Sequence, residues 1–158
     1  MQLLTEKTII IHRPTTEVFD FIANMENFGL WFPGVISIVS CNANAHGKVG
    51  KQYLETVKIP LRGHQEINIT VREALRGELF VTEGAFAPLY PRMEIRLQAP
   101  DDFSCLLTWR MCSRSENRAF KMLVLPLVKL VIGTRATKGV KQLRELLEKN
   151  PASNNVIA

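Results

Sequence analysis

The sequence has little cysteine, and none of its hydrophobic runs is long enough to cross a membrane. Cys41, Cys105 and Cys112 are odd in number and show no CxxC spacing, so neither a disulfide framework nor a zinc site is indicated. The N-terminus has an acid among its first charges and a short apolar run, which is not typical of a signal peptide. No segment reaches the ~20 apolar residues of a membrane-spanning helix. These absences predict a cytoplasmic protein.

Residues that commonly carry catalysis are also scarce. His12, His46 and His64 lie far apart, and none of them has the spacing of a metal ligand pair such as HxxxH. The serines and cysteines occur in no nucleophile-elbow or Cys-His signature. We therefore expect no metal and no cofactor.

The composition is that of an ordinary globular protein. Of 158 residues, 46% are hydrophobic and 22% are charged, which favours one domain, predicted over residues 1–150, with a flexible tail at 151–158. The formal charge of +5 favours anionic partners or simply a basic solvated surface. Nucleic acid is not an expected partner, because no recognition motif or interleaving of aromatic and basic residues is present.

An alternation of apolar and polar residues dominates the first two thirds of the chain. This period of two predicts an antiparallel sheet with one covered and one solvated face. The predicted strands are Leu3–Ile11, Val35–Cys41, Gln52–Pro60, His64–Ala74, Glu78–Phe86, Arg92–Ala99 and Phe103–Cys112.

Helical patterns occur in two places. After the first strand, a helix capped by Thr15 or Thr16 is interrupted at Asn24 and Asn27, which predicts two short helices. After Ser115, a plausible N-cap, a long helical pattern continues to Asn150, with Pro126 expected to kink or restart it. Its apolar stripe, with Arg135 and other charges facing away, consists of Ile132, Ala136, Val140, Leu143 and Leu147.

The order of these elements and three motifs resemble the START-like (SRPBCC, helix-grip) superfamily, and within it the polyketide cyclase/dehydrase and lipid-transport group. The motifs are I-x-x-P-x-x-x-V-F-x-F-I (Ile11, Pro14, Val18, Phe19, Phe21, Ile22), "WFPGV" at Trp31–Val35, and the late "LPLVKLVIG…LRELLE" helix. The resemblance implies an α+β helix-grip fold. A curved antiparallel sheet of six to seven strands wraps around a long C-terminal helix, with two short helices after the first strand and an apolar cavity inside.

That resemblance implies binding or carriage of a hydrophobic small molecule, such as a lipid, a quinone or a polyketide-like compound. Trp31 and Phe32 are placed near the cavity rim, where core packing is the alternative interpretation. The full set of expected ligand-binding residues is Trp31, Phe32, Tyr53, Ile69, Val71, Val81, Met93, Ile95, Trp109, Met111, Met122 and Leu125.

A polyketide cyclase or dehydratase is the competing function. Glu55 shares a predicted strand face with Val57 and Ile59, and Glu83 lies mid-strand between apolar neighbours. A carboxylate that faces an apolar cavity has a raised pKa and suits acid/base chemistry. A bulge that turns either glutamate to solvent, or an arginine that pairs with it, is the alternative for both.

The segment Met122–Ile132 is nearly all apolar and contains one charge, Lys129. A run of this length favours a buried or interfacial helix over a membrane span. Three interpretations stay open: a flexible gate over the cavity, transient contact with an anionic membrane assisted by Arg118, Lys121 and Lys129, or plain core packing.

Overall fold

The computed structural model describes residues 1–149, so the predicted tail at 151–158 lies outside the described residues. Seven strands are present: β1 (Gln2–Ile11), β2 (Val35–Ser40), β3 (Gln52–Ile59), β4 (Gly63–Leu75), β5 (Leu79–Ala85), β6 (Pro91–Asp101) and β7 (Ser104–Ser113). The helices are α1 (Thr15–Ala23), α2 (Phe28–Trp31), α3 (Arg118–Leu123) and α4 (Leu125–Lys149), with a 3-10 turn at Met25–Asn27.

All seven strands form one antiparallel sheet in the order β1-β7-β6-β5-β4-β3-β2. From β2 to β7, each strand pairs with the next strand along the chain, because antiparallel neighbours need only a short turn between them. β1 closes the other side of the sheet by pairing with β7. The edges of the sheet are therefore β1 and β2, which the two short helices connect.

Side chains on the inner face of the sheet are apolar because successive residues of a strand point to opposite faces. Ile95 on β6 lies opposite Phe80 on β5 and Trp109 on β7, and all three are fully buried. Helix α4 crosses this face and contributes Ala136, Val140 and Leu143 to the same core. The residues between the inward-facing ones along each strand point to the outer face, which carries most of the charged strand residues.

The inner face has a packed half and a hollow half. Helix α1 and the aromatic residues around α2 fill one half, where Phe32 contacts Trp109 with ring centroids 5.2 Å apart. Val71, Leu107 and Leu143 complete this core without exposed surface. The first half of α4 spans the other half of the face, where the core is incomplete.

Three local predictions were wrong. Neither Thr15 nor Thr16 caps α1, since Pro14 occupies the N-cap position and no side chain bonds there. The cap of α3 is Asn117, whose Oδ1 accepts from the backbone N of Phe120 at 3.0 Å, so the helix begins later than a cap at Ser115 requires. Phe103 belongs to the turn before β7 and is exposed.

The predicted break in the long helix is confirmed. α3 ends at Leu123, and α4 begins at Leu125 with Pro126 as its second residue. Proline fits the first turn of a helix because its missing N–H would have no intrahelical partner there.

The predicted fold class is confirmed by the seven-stranded antiparallel sheet, the two short helices after β1 and the long α4 across the inner face.

Candidate functional site: an apolar cavity with one buried carboxylate

A cavity of about 460 Å³ occupies the hollow half of the inner face, between the sheet and the first half of α4. This volume lies within the range of small-molecule sites, ~300–1,000 Å³. Most of its wall is apolar, and the lining residues without polar side chains are Met25, Phe28, Phe32, Val35, Val57, Ile59, Pro60, Ile67, Ile69, Gly84, Phe86, Pro88, Leu89, Pro91, Met93, Met111, Phe120, Val124, Leu127, Val128, Val131 and Ile132.

The mouth of the cavity lies between the β3–β4 turn and the junction of α3 with α4. Pro60 and Arg62 on one side, and Val124 and Leu127 on the other, line the cavity and are also exposed to solvent. Leu61, at the tip of the turn between Pro60 and Arg62, is fully exposed. A guest can therefore enter between the hairpin and the helix.

Four lining residues carry polar side chains: Glu55, Arg62, Thr82 and Arg135. Glu55 is only 8% exposed, and among residues 1–149 no hydrogen bond to its carboxylate contributes to its pKa. Burial raises the pKa of Glu55 to about 7, and the charge of Arg135 opposes that rise. A buried carboxylate without a partner is unusual, because desolvation disfavours its charged form.

Arg135 reaches from α4 to the β2–β3 side of the cavity. Its Nη2 donates to the backbone oxygen of Lys58 at 2.7 Å. Burial lowers the pKa of Arg135, and the nearby charge of Glu55 opposes this. The guanidinium occupies the space over Gly34, where a Cβ would lie 2.5 Å from the Arg135 Cζ. Because Gly34 also has φ +89°, only glycine fits at this turn.

Glu83, the other candidate carboxylate, lies on the outer face and not in the cavity. Its Oε1 accepts from Nη1 of Arg92 at 2.9 Å, and its Oε2 accepts from Nε of Arg72 at 3.0 Å. Nη1 of Arg114 lies 3.4 Å from Oε2. Partial burial raises the pKa of Glu83, but the three arginines outweigh it and hold the pKa below its ordinary value. The structure therefore separates the two glutamates, and only Glu55 borders the cavity.

The twelve expected ligand-binding residues divide into a lining group and a group away from the cavity. The residues that line the cavity are Phe32, Ile69, Met93 and Met111. The residues outside the lining are Trp31, Tyr53, Val71, Val81, Ile95, Trp109, Met122 and Leu125.

The second group lies away from the cavity for different reasons. Trp31 packs edge-on against Phe28 in the filled half of the core. The Tyr53 hydroxyl lies 2.7 Å from Nδ1 of His46, and burial raises its pKa to about 12. Val81 alternates with inward-facing Phe80 and Thr82 and so lies on the outer face.

The Met122–Ile132 segment combines three environments. Leu125 belongs to a small buried cluster, while Val124, Leu127, Val128, Val131 and Ile132 line the cavity. The most exposed apolar side chains are Met122, Leu123, Leu130 and, at the mouth, Leu127. Core packing therefore accounts for only part of the segment.

Sequence reasoning missed Arg135, which it placed on the solvent side of the helix. The signal was present, because Val128, Ile132 and Arg135 follow the i, i+4, i+7 spacing of one helix face. It also missed the β5–β6 loop, from which Phe86, Pro88 and Leu89 line the cavity. No periodic pattern marks that loop.

Within residues 1–149, no three His, Cys, Asp or Glu side chains converge as metal ligands would. No helix of that range is long and apolar enough to cross a membrane.

Comparison with known proteins identifies the fold. No protein-family model matches the sequence, and no curated protein matches it. Among solved structures, a START superfamily protein from Mycobacterium smegmatis is 14% identical, with a TM-score of 0.73 over 94% of this chain and 99% of that one.

Two aromatase/cyclase structures are also similar. The di-domain ARO/CYC StfQ from the steffimycin biosynthetic pathway is 11% identical, with a TM-score of 0.72 over 94% of this chain and 51% of that protein. The Zhui aromatase/cyclase from Streptomyces sp. R1128 is 13% identical, with a TM-score of 0.65 over 90% of this chain and 91% of that one. The chain thus has the START-like fold that the order of its elements and its three motifs predicted.

Proposed function

We propose that this protein binds and carries a hydrophobic small molecule, such as a lipid, a quinone or a polyketide-like compound, in the cavity beneath α4. The observation that carries the proposal is the cavity itself, about 460 Å³ in volume and walled almost entirely by apolar side chains. An apolar guest of matching size would remove this wall from water and make dispersion contacts with it.

A filling substitution tests this proposal. Val131 lines the cavity, whereas its neighbour Leu130 is exposed. We expect Val131→Trp to abolish binding of the neutral apolar fluorophore N-phenyl-1-naphthylamine and to remove any guest detected by native mass spectrometry. Leu130→Trp should leave both unchanged. Wild-type protein that neither binds the fluorophore nor retains a guest would contradict the proposal.

We further propose that the guest is exchanged at an anionic membrane surface that faces the cavity mouth. Leu61, Leu123 and Leu127 are exposed around the mouth. The 28 residues from Asn117 to Arg144 contain seven cations and no acid. Exposed apolar side chains within a basic segment favour an anionic bilayer, which attracts nearby lysines and arginines at ~1 kcal/mol each.

Vesicle sedimentation tests the membrane contact. Wild-type protein should sediment more with anionic than with neutral vesicles, and added salt should weaken the effect. Leu127→Ser should reduce sedimentation. Phe103→Ser, which changes an exposed residue that follows Asp101 and Asp102 at the opposite end of the sheet, should not. Equal sedimentation with both kinds of vesicle would remove this part of the proposal.

A cyclase or dehydratase acting on a polyketide-like substrate is the second candidate. Glu55 favours it, because its pKa of about 7 suits a group that both takes and returns a proton. The two similar aromatase/cyclase structures favour it as well. A general acid or base contributes ~10²–10⁴-fold in rate, so Glu55→Gln should collapse any turnover and spare binding, while Glu83→Gln should leave both intact. For a carrier we expect no turnover.

A further inference from the structure

The Glu55 carboxylate is the one acidic group among the four polar side chains of the cavity lining, and a purely hydrocarbon guest would leave it without a hydrogen-bond donor. It is 8% exposed, lines the cavity and has no hydrogen-bond partner among residues 1–149. Buried polar groups in folded proteins nearly always have a partner. A guest that offers a hydrogen-bond donor at this point would satisfy the carboxylate.

Glu55 lies away from the mouth of the cavity. It is five residues from Pro60 at the mouth, which corresponds to about 16 Å along a strand. Arg135 is eight residues beyond Leu127, about 12 Å along the helix. Both polar groups therefore lie away from the mouth, with Glu55 buried and Arg135 partly exposed on the β2–β3 side.

The pair of charges restricts the chemistry of the guest. A carboxylate guest would bring a second negative charge beside Glu55, and an ammonium guest would bring a second positive charge beside Arg135; both are unfavourable between largely apolar walls. A hydroxyl group avoids both penalties. It donates to the Glu55 carboxylate, and its oxygen can accept from the guanidinium of Arg135, which has further N–H groups besides the one bonded to Lys58.

We propose that the guest is a neutral amphiphile whose hydroxyl group is buried against Glu55 and Arg135, with its apolar body extending toward the mouth. This inference rests on the proposed carrier function and adds the chemical class and the orientation of the cargo. The hydroxyl enters first, and the apolar end faces the mouth.

Competition with matched twelve-carbon probes tests the class of guest. N-phenyl-1-naphthylamine is bound first and is then displaced by 1-dodecanol, methyl dodecyl ether, dodecanoate or dodecylammonium, at about pH 8, where Glu55 is mostly ionised. A hydrogen bond to a charged group is stronger than a neutral one. We expect dodecanol to displace the fluorophore at a concentration at least tenfold lower than the ether or either ion.

Variants connect this preference to Glu55. Glu55→Leu should bring dodecanol and the ether within about twofold of each other while the fluorophore still binds. Glu55→Gln, which keeps the size and one acceptor, should retain a reduced preference. The matched control Glu66→Leu alters an exposed glutamate on the outer face of the adjacent strand and should retain the full preference.

The outcomes separate this inference from the carrier function. Equal displacement by dodecanol and ether in the wild type, tighter binding of dodecanoate or dodecylammonium, or a preference that survives Glu55→Leu would each overturn the inference and leave apolar binding intact. Failure of the fluorophore and of every probe to bind would overturn both.

Discussion

Glu55 and Glu83 are carboxylates on the same sheet, separated by strand β4, and their surroundings differ in every respect. Glu83 lies on the outer face among Arg72, Arg92 and Arg114, and these cations lower its pKa. Glu55 lies on the inner face with no hydrogen-bond partner among residues 1–149, and burial raises its pKa. The outer-face glutamate is part of a structural ion network, whereas the inner-face glutamate is available to a guest.

The contrast between Glu55 and Glu83 shows that the surroundings of a strand residue depend on the face of the sheet to which it points. Local sequence places both glutamates mid-strand, but the face of the sheet decides which groups they meet. The partners of Glu83 come from three different strands or their ends, which only the folded sheet brings together. Ionisable groups with shifted pKa values mark functional sites only when no structural network explains the shift.

The largest expected effect tests the packing difference between the two faces. Trp109 and Thr108 are neighbours on β7; Trp109 is fully buried on the inner face, and Thr108 lies on the outer face beside Thr8. Removing a buried aromatic side chain destabilises a protein by ~3–5 kcal/mol, so Trp109→Ala should lose that much free energy of unfolding. Thr108→Ala should change it by less than ~0.5 kcal/mol.

Urea denaturation monitored by circular dichroism would measure both variants. Comparable losses for Trp109→Ala and Thr108→Ala would contradict the assignment of the two faces.

The second prediction concerns the unpaired glutamate. Folding raises the pKa of Glu55 from 4.5 to about 7. At a pH between these two values, Glu55 is therefore protonated in the folded protein and ionised in the unfolded chain. The stability of wild-type protein should therefore fall as the pH rises through this window, by up to about 3 kcal/mol at 1.36 kcal/mol per unit. Glu55→Gln has no proton to lose there and should become more stable than wild type by that amount above about pH 7.

Thermal and urea unfolding across the window would reveal this difference. Glu66→Gln, the same change on the exposed outer face, should track wild type at every pH. A constant difference between Glu55→Gln and wild type would mean that Glu55 is ionised throughout and has a partner.

The strands and helices were predictable from the sequence because the patterns that specify them are local, whereas their helix-grip arrangement was implied by the family resemblance. Strict alternation specified the strands, and the break at Pro126 specified where the long helix begins. Alternation also placed Ile69, Met93 and Met111 on the inner face, where all three line the cavity. These predictions needed only the side-chain period.

The cavity was only partly predictable, because its position depends on which half of the inner face the short helices fill. Ile95 and Trp109 share the face of Met93 and Met111 but lie in the filled half, a distinction that no strand pattern contains. Met122 was misplaced because the break at Val124 separates the helical phase of α3 from that of α4. Val81 lies on the outer face but is as buried as an inner-face residue, so its apolar character did not indicate which face it occupies.

The third prediction concerns the paired glutamate. Glu83→Gln removes the charge that two arginines bond directly, and hydrogen bonds to charged groups contribute ~1.5–3 kcal/mol each before solvent screening. Since the arginines are partly solvated, we expect a net loss of about 1–2 kcal/mol at neutral pH. The lowered pKa means that this contribution is present above the unfolded value of 4.5 and is lost as the pH falls through the folded pKa.

The free energy of unfolding, measured against pH, would therefore distinguish the two glutamates, because Glu83→Gln should lower it and Glu55→Gln should raise it at neutral pH. The difference between Glu83→Gln and wild type should shrink on acidification below the unfolded value, whereas Glu55→Gln should converge with wild type already between its two pKa values. A neutral effect of Glu83→Gln at pH 7 would mean that the network contributes nothing to stability.

The smallest expected effect lies within the outer-face network itself. The Arg72 side chain is 53% exposed and bonds Glu83 alone, while Arg92 is 20% exposed and bonds both Glu83 and Glu73. Exposed ion pairs contribute ~0.2–1 kcal/mol because water and salt screen them. Arg72→Gln should therefore cost about 0.5 kcal/mol, and Arg92→Gln should cost more. A double-mutant cycle between Arg72→Gln and Glu83→Gln measures their coupling. A coupling well above ~1 kcal/mol, unreduced by salt, would show that this outer-face pair is shielded from water and would weaken the contrast between the two faces.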